Sequence, residues 1–130
     1  MKKKHKKAEK PLRCYVYLST NGDMRTAEIK EKKQLNYIRD YAKAHNIVIT
    51  KIMHRSVLGQ FEANKQFEII VSSILKKEVD GLLITNMGAI STDVMDAYHK
   101  VAKVIFAGGQ MITVDEGNLA LNIKRLGGIA

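Results

Sequence analysis

The sequence predicts an α/β fold, a three-layer sandwich in which helices cover both faces of a mainly parallel central sheet. Short apolar segments with strand character alternate with longer segments of helical periodicity through most of the chain. One short segment, residues 80–86, contains three consecutive large apolar residues, as expected of a strand buried on both faces. Strands that alternate with helices are joined by right-handed crossovers and form parallel sheets. The length of 130 residues suits one domain of this kind.

The first half of the chain contains two predicted strands with a helix between them. Residues 13–19 form an apolar run with Tyr and Val, which predicts strand one. Residues 26–45 are rich in Glu, Lys, Gln and Ala with apolar residues at helical spacing, and Asn46 marks the end of this helix. Residues 47–53 predict strand two. Residues 54–64 contain a glycine and show no periodicity, which predicts a loop.

The second half repeats the alternation twice. Helix two is predicted by apolar residues at positions i, i+3, i+4, i+7 and i+8, namely Phe67, Ile70, Val71, Ile74 and Leu75. Residues 80–86 predict strand three, and a helix from about Ser91 ends at Gly108 and Gly109. Residues 110–114 predict strand four. Residues 115–130 show no clear pattern.

Most of the positive charge lies at the N-terminus. The chain has a net charge of +9, and residues 1–13 contain seven basic residues and one acidic residue, a net of +6. A like-charged segment with few apolar residues cannot offset its ordering entropy, so we expect a disordered basic tail over residues 1–12 and a folded domain over 13–130. Two roles remain open for the tail, solubility and non-specific contact with DNA phosphates. The candidate DNA-binding residues of the tail are Lys2, Lys3, Lys4, Lys6 and Lys7.

Composition excludes several classes of protein. The single cysteine, Cys14, excludes an internal disulfide framework, and the four histidines show no metal-ligand spacing. No apolar run reaches the roughly 18–20 residues that a membrane span needs, and the N-terminus lacks the apolar core of a signal peptide. We therefore expect a cytoplasmic protein without a membrane partner, a metal or a cofactor.

Strand one ends on a hydroxyl pair, Ser19-Thr20, that opens directly into Asn21-Gly22-Asp23. In a parallel sheet the working residues lie beyond the carboxyl ends of the strands, so residues 19–26, 54–64 and 86–91 are expected to converge on one edge. Ser19 is the catalytic candidate, as a nucleophile. The alternative is that its hydroxyl only hydrogen-bonds the backbone of the turn.

The order of these features resembles the catalytic domain of the serine recombinases, the resolvase and invertase family. The resemblance depends on Ser19-Thr20 after strand one, on Gly59 in the second loop, and on the helix, strand and loop of residues 67–92. It spans residues 13–114. It implies that the serine attacks a DNA phosphate whose oxygens are gripped by arginines. It also implies DNA as a partner, and a homodimer or pairing with an active recombinase.

The expected arginines are missing. Tyr17 occupies the family's arginine position two residues before the serine, and Asn64-Lys65 occupies the position of its Arg-Pro pair. Residues 88–92, Gly-Ala-Ile-Ser-Thr, replace its Asp-Arg-Leu-x-Arg motif. Each lost charged stabiliser of a transition state costs about 3 kcal/mol or more, so the sequence predicts a catalytically inactive domain. Arg25 and Arg55 lie in the two loops, where they are candidates for relocated catalytic arginines and for DNA contacts.

Three functions remain open at this point. The first is a degenerate recombinase-like domain that acts by binding or self-association. The second is an active recombinase fragment that cleaves DNA through Ser19 with relocated arginines. The third is a small α/β module in which residues 19–22 cradle a phosphate ligand before helix one, although no dinucleotide-binding or P-loop glycine motif is present.

Overall fold

The computed structural model describes residues 10–19, 24–54, 60–91 and 93–119, with the side chains of 24, 25, 27 and 60 left out. Strands and helices alternate along this part of the chain. In chain order they are β1 (Leu12–Leu18), α1 (Met24–Ala44), β2 (Ile47–His54), α2 (Gln60–Leu75), β3 (Gly81–Ile84), a 3-10 turn (Met87–Ala89), α3 (Val94–Phe106), β4 (Gln110–Thr113) and β5 (Gly117–Asn118).

The sheet has the strand order β2-β1-β3-β4-β5. The first four strands are parallel, and β5 runs antiparallel to β4. Strands β1 and β2 pair along their whole length, from Leu12 opposite Ile47 to Leu18 opposite His54, with an irregularity between Cys14 and Tyr15. The predicted mainly parallel sheet is confirmed.

Two buried apolar clusters show how the three layers pack. On one face, Ile38 and Ala42 of α1 pack against Val16 and Leu18 of β1 and against Leu83 of β3. On the other face, α2 and α3 cover the sheet with a larger set that includes Phe67, Ile70, Ile74, Ala97, Val101, Val104, Leu82, Ile84 and Met111. The α/β/α sandwich predicted from the alternating pattern is therefore confirmed.

Two local features explain why the chain can build this sheet. A Cβ atom on Gly81 would lie 2.3 Å from the carbonyl oxygen of Gln110, so only glycine allows β3 and β4 to approach in this way. Asn46 has a φ of 56°, the left-handed conformation that often ends a helix, between α1 and β2.

Two predictions at element boundaries are wrong. Residues 60–64, predicted as loop, form the first turn of α2, where Ala63 is buried but Phe61 is exposed, so the turn shows no apolar stripe. Helix α3 begins at Val94 rather than near Ser91, because Asp93 caps it by accepting a hydrogen bond from the Met95 N–H at 3.0 Å. In residues 115–130, which were left without a pattern, the structure has the two-residue strand β5.

No helix in the described part of the chain is long and apolar enough to cross a membrane.

Candidate functional site

Ser19 lies at the carboxyl end of β1, at the point where the order of the sheet reverses. The chain passes from β1 to β2 on one side and then crosses to β3 on the other side. In parallel sheets such a reversal leaves a crevice beyond the strand ends, which is the usual place for a ligand or active site. Ser19 is partly buried there.

The main chain of Ser19 is held by one side chain of α1. The Ser19 N–H donates to Oε1 of Gln34 at 3.1 Å, and Nε2 of Gln34 donates to the Ser19 carbonyl at 3.3 Å. A single amide thus satisfies both backbone groups at a position where the strand ladder has ended. The two bonds use main-chain atoms and do not involve the serine hydroxyl. Sequence reasoning missed Gln34.

A second contact joins α1 to the sheet one turn earlier in the helix. Glu31, whose side chain is only 10% exposed, accepts a hydrogen bond from Nδ1 of His54 at 2.8 Å. His54 is the last residue of β2 and pairs in register with Leu18. Glu31 and His54 also line a cavity of about 210 Å³ whose walls include Leu18, Leu35, Glu28 and Lys32. One face of α1 therefore holds the carboxyl ends of both β1 and β2.

The carboxyl ends of β3 and β4 are connected by polar contacts. Asp115, just after β4, accepts hydrogen bonds from Nδ2 of Asn86 at 3.2 Å and from the Tyr37 hydroxyl at 3.4 Å. The Asn86 Oδ1 in turn accepts from the Gly88 N–H at 3.0 Å, which caps the 3-10 turn. These bonds fix the loop that carries the positions of the family's Asp-Arg-Leu-x-Arg motif.

Two of the positions where the resemblance to serine recombinases leads one to expect arginine are occupied by buried side chains. Tyr17 is 2% exposed and packs in the cluster under α2 and α3. Ala89 is 5% exposed in the same cluster, and Ile90 beside it is also buried. A guanidinium at either buried position would have to enter the core. Thr92 lies outside the described residues.

The second-loop position keeps a cation with a different neighbour. Lys65, on α2, has its Nζ 4.9 Å from the ring centroid of the exposed Phe61. An ammonium in a cation–π contact is a point charge and does not reproduce the two-pronged grip of arginine on phosphate.

Neither arginine with a described side chain is hydrogen-bonded to Ser19. Arg13, at the start of β1, binds Asp80 through its main-chain N–H at 2.8 Å and through its guanidinium at 3.1 Å. This pair closes the amino edge of the sheet, opposite Ser19. Arg39 is on the exposed surface of α1. The Arg25 side chain, Arg55 and the tail lysines Lys2, Lys3, Lys4, Lys6 and Lys7 lie outside the described residues.

The polar groups described at this edge exchange hydrogen bonds with one another. The side chains that make the described hydrogen bonds at the ends of β1 and β2 are an amide, a carboxylate and an imidazole, and the ammonium of Lys32 lines the cavity beside them. Within residues 10–19, 24–54, 60–91 and 93–119, no three His, Cys, Asp or Glu side chains come together in a way that could hold a metal ion. The arrangement can position a main chain and a loop, and no described arginine takes part in it to grip the oxygens of a phosphate.

Comparison with known proteins agrees with this fold. No protein-family model matches the sequence, and no curated protein is similar to it. Among solved structures, the chain is similar to a resolvase family site-specific recombinase from Streptococcus pneumoniae, with a TM-score of 0.72 and 16% sequence identity. The likeness covers 91% of this chain and 85% of that chain. The predicted resolvase-like fold is confirmed, and at this identity the likeness concerns the fold alone.

Proposed function

We propose that this protein is a resolvase-like domain that has kept the fold of a serine recombinase without its strand-cleavage chemistry, and that it acts by binding. The observation that supports this most strongly is the burial of Tyr17 and Ala89 in one apolar cluster. Both occupy positions where the family carries a phosphate-gripping arginine. A guanidinium must reach solvent or substrate to bind a phosphate, and these two positions face the core.

The clamp on Ser19 supports the same proposal. A nucleophilic serine must be presented to a phosphate with donors arranged around the developing charge. Here the described hydrogen bonds of Ser19 are to Gln34, which uses both ends of its amide on the Ser19 main chain. These two hydrogen bonds hold the end of β1 against α1, which is a structural role.

The binding partners in this proposal are DNA and a second recombinase-like chain. DNA contact is non-specific and comes from the basic tail, with Arg25 and Arg55 as further candidates. Six of the nine net positive charges lie in residues 1–13, where phosphate contacts release counterions. The second chain is either another copy, giving a homodimer, or an active recombinase whose assembly this domain modulates.

Filter binding to random duplex DNA at two salt concentrations tests the DNA part of the proposal. We expect affinity to fall steeply with salt and to be largely lost when residues 2–10 are deleted, with no change in the melting of the folded body. A matched control replaces the same lysines by arginine, which keeps the charge and should keep the affinity. Equal affinity of the full and truncated chains would assign the lysines to solubility and contradict the tail contact.

Sedimentation velocity tests the second partner. We expect the chain to sediment as a dimer at micromolar concentration, or to form a mixed complex when an active resolvase is added. A monomer that forms no mixed complex would contradict self-association and pairing alike.

A further inference from the structure

A polar cavity of about 390 Å³ lies between α2 and α3, on the face of the sheet opposite α1. Its walls are six polar side chains, two from α2 and four from α3. They are Asn64, Glu68, Asp96, His99, Lys100 and Lys103. The volume falls within the range of about 300–1,000 Å³ typical of small-molecule sites. None of these residues takes part in the contacts that hold Ser19.

Lys100 is the unusual member of this set. Its side chain is 9% exposed, although lysine is almost never buried unless it is paired. The ammonium donates to Oδ2 of Asp96, one turn earlier in α3, and lies 5.9 Å from the ring centroid of Phe67. An ammonium has three donor hydrogens, and Asp96 accepts one of them. Within the described part of the chain no second hydrogen-bond acceptor binds the Lys100 ammonium, and a buried cation of this kind beside a cavity favours a ligand that supplies acceptor oxygens.

A second ammonium group, that of Lys103, lines the same cavity. Lys103 lies one turn after Lys100 and pairs with Glu68 across the two helices. Hydrogen bonds from Lys100 first, and then from Ser91, lower the pKa of Asp96, so this carboxylate stays ionised and holds the buried ammonium in place. Each of the two ammonium groups is thus paired with one carboxylate.

We propose that this cavity binds a small molecule through a phosphate group, whose oxygens accept hydrogen bonds from Lys100 and Lys103. Lysine binds phosphate as a compact cation with several donors, and two ammonium groups from successive turns of one helix can bind neighbouring oxygens of one phosphate. The depth of Lys100 favours a small molecule over duplex DNA, because a backbone phosphate on a thick duplex cannot easily enter a recess between two helices. The remaining volume accommodates the rest of the ligand.

This inference is independent of the proposed function, because it concerns a different face of the molecule and a different ligand. Its test uses the full chain and inorganic phosphate as the probe, at constant ionic strength set with chloride. Backbone amide shifts are followed by NMR during the titration, with acetate as a second anion. We expect saturable shifts confined to α3 and the first half of α2, with phosphate binding more tightly than acetate.

Three variants distinguish a specific phosphate site from the general attraction of anions to a basic protein. Lys100→Met keeps the aliphatic stem and removes the donors, and it should weaken phosphate binding by roughly tenfold or more, the effect of one charged hydrogen bond. Lys103→Met should act in the same direction, and because its side chain is 51% exposed, this variant tests the site even if Lys100→Met does not fold. Lys76→Met, at an exposed lysine beyond the C-terminal end of α2, is the matched control and should bind like the native chain.

Several results would overturn the proposal. One is a linear, non-saturating response to phosphate; another is equal binding by Lys103→Met and the Lys76→Met control. A third is that duplex DNA shifts the NMR signals of the backbone amides around the cavity while inorganic phosphate does not. That last result would assign the cavity to DNA. None of these results affects the test of DNA binding by the tail, which compares the full chain with the truncated chain.

Discussion

The Gln34 side-chain amide binds both the N–H and the carbonyl of Ser19, at 3.1 Å and 3.3 Å. A helix residue thereby continues the pairing of β1 past the point where the sheet ends. The contact ties the end of β1 to α1. Because it uses only main-chain atoms of Ser19, it leaves the serine hydroxyl out and places no requirement on the side chain at this position.

Gln34→Ala is expected to lower the free energy of unfolding by about 1–2 kcal/mol, because it removes two partly buried hydrogen bonds and leaves the Ser19 backbone groups unpaired. Urea unfolding followed by circular dichroism measures the change. Lys33→Ala, at the exposed neighbouring position, is the control and should stay within about 0.5 kcal/mol of the native chain. Equal stability of the two variants would show that the clamp contributes nothing.

Ala89→Arg places an arginine where the resemblance to serine recombinases leads one to expect it, and this change is expected to destabilise the fold by about 3 kcal/mol or more. Ala89 is buried in the apolar cluster, where an arginine has no counter-charge. Ala44→Arg, at the exposed end of α1, introduces the same side chain without burial and should change stability little. If the unfolding midpoint of Ala89→Arg in urea equals that of the native chain, the loop can turn this position outward. That result would contradict the prediction that an arginine here must enter the core.

The Arg13–Asp80 pair gives stability a dependence on pH. The guanidinium and the main-chain N–H of Arg13 lower the pKa of Asp80 relative to the unfolded chain. The pair therefore stabilises the fold above the unfolded pKa of about 4, and this contribution is lost as pH falls through the lower, folded value. The melting temperature of Asp80→Asn should lie below that of the native chain near neutral pH, and the gap should close in acid. A gap that persists unchanged in acid would contradict this origin; Asp40→Asn on the exposed face of α1 is the control.

Cys14 is expected to be unreactive in the folded protein. Burial, with a smaller effect of Asp80, raises the pKa of its thiol to about 12, so almost no thiolate exists near neutral pH, and the sulfur is also shielded by β1, β2 and α1. Modification by Ellman's reagent at mildly alkaline pH should be about a hundredfold or more slower for the native chain than in denaturant. Rapid labelling without denaturant would mean that β1 opens readily.

The layers of this fold could be predicted because each carries a periodic signal. Strands β1 to β4 differ from their predicted bounds by at most two residues at either end, and the stripe from Phe67 to Leu75 lies within α2. The first turn of α2 could not be predicted, because Ala63 is the only one of its described apolar side chains that is buried. One buried residue does not produce a helical pattern in the sequence. Strand β5 has only two residues and exists through pairing with β4, a contact that leaves no local pattern.

The site was less accessible to sequence reasoning. The positions of Ser19, Tyr17 and Ala89 follow from spacing along strands and loops. The partners Gln34 and Glu31 depend on how α1 lies across the sheet, which brings them to the ends of β1 and β2. In the sequence, nothing distinguishes this glutamine and this glutamate from the other polar residues of a charged helix. His54, one of the four histidines without metal-ligand spacing, is half exposed and also bonded to a buried carboxylate.

The central claim is that the resolvase-like fold is present without strand cleavage, and a covalent trapping assay on supercoiled DNA tests it most directly. The native chain and Ser19→Ala are incubated with the plasmid, denatured, and examined for nicking and for protein attached to DNA, with an active resolvase as the positive control. We predict no nicking and no adduct from either chain. An adduct formed by the native chain and absent from Ser19→Ala would show that Ser19 attacks a DNA phosphate, and it would contradict the claim.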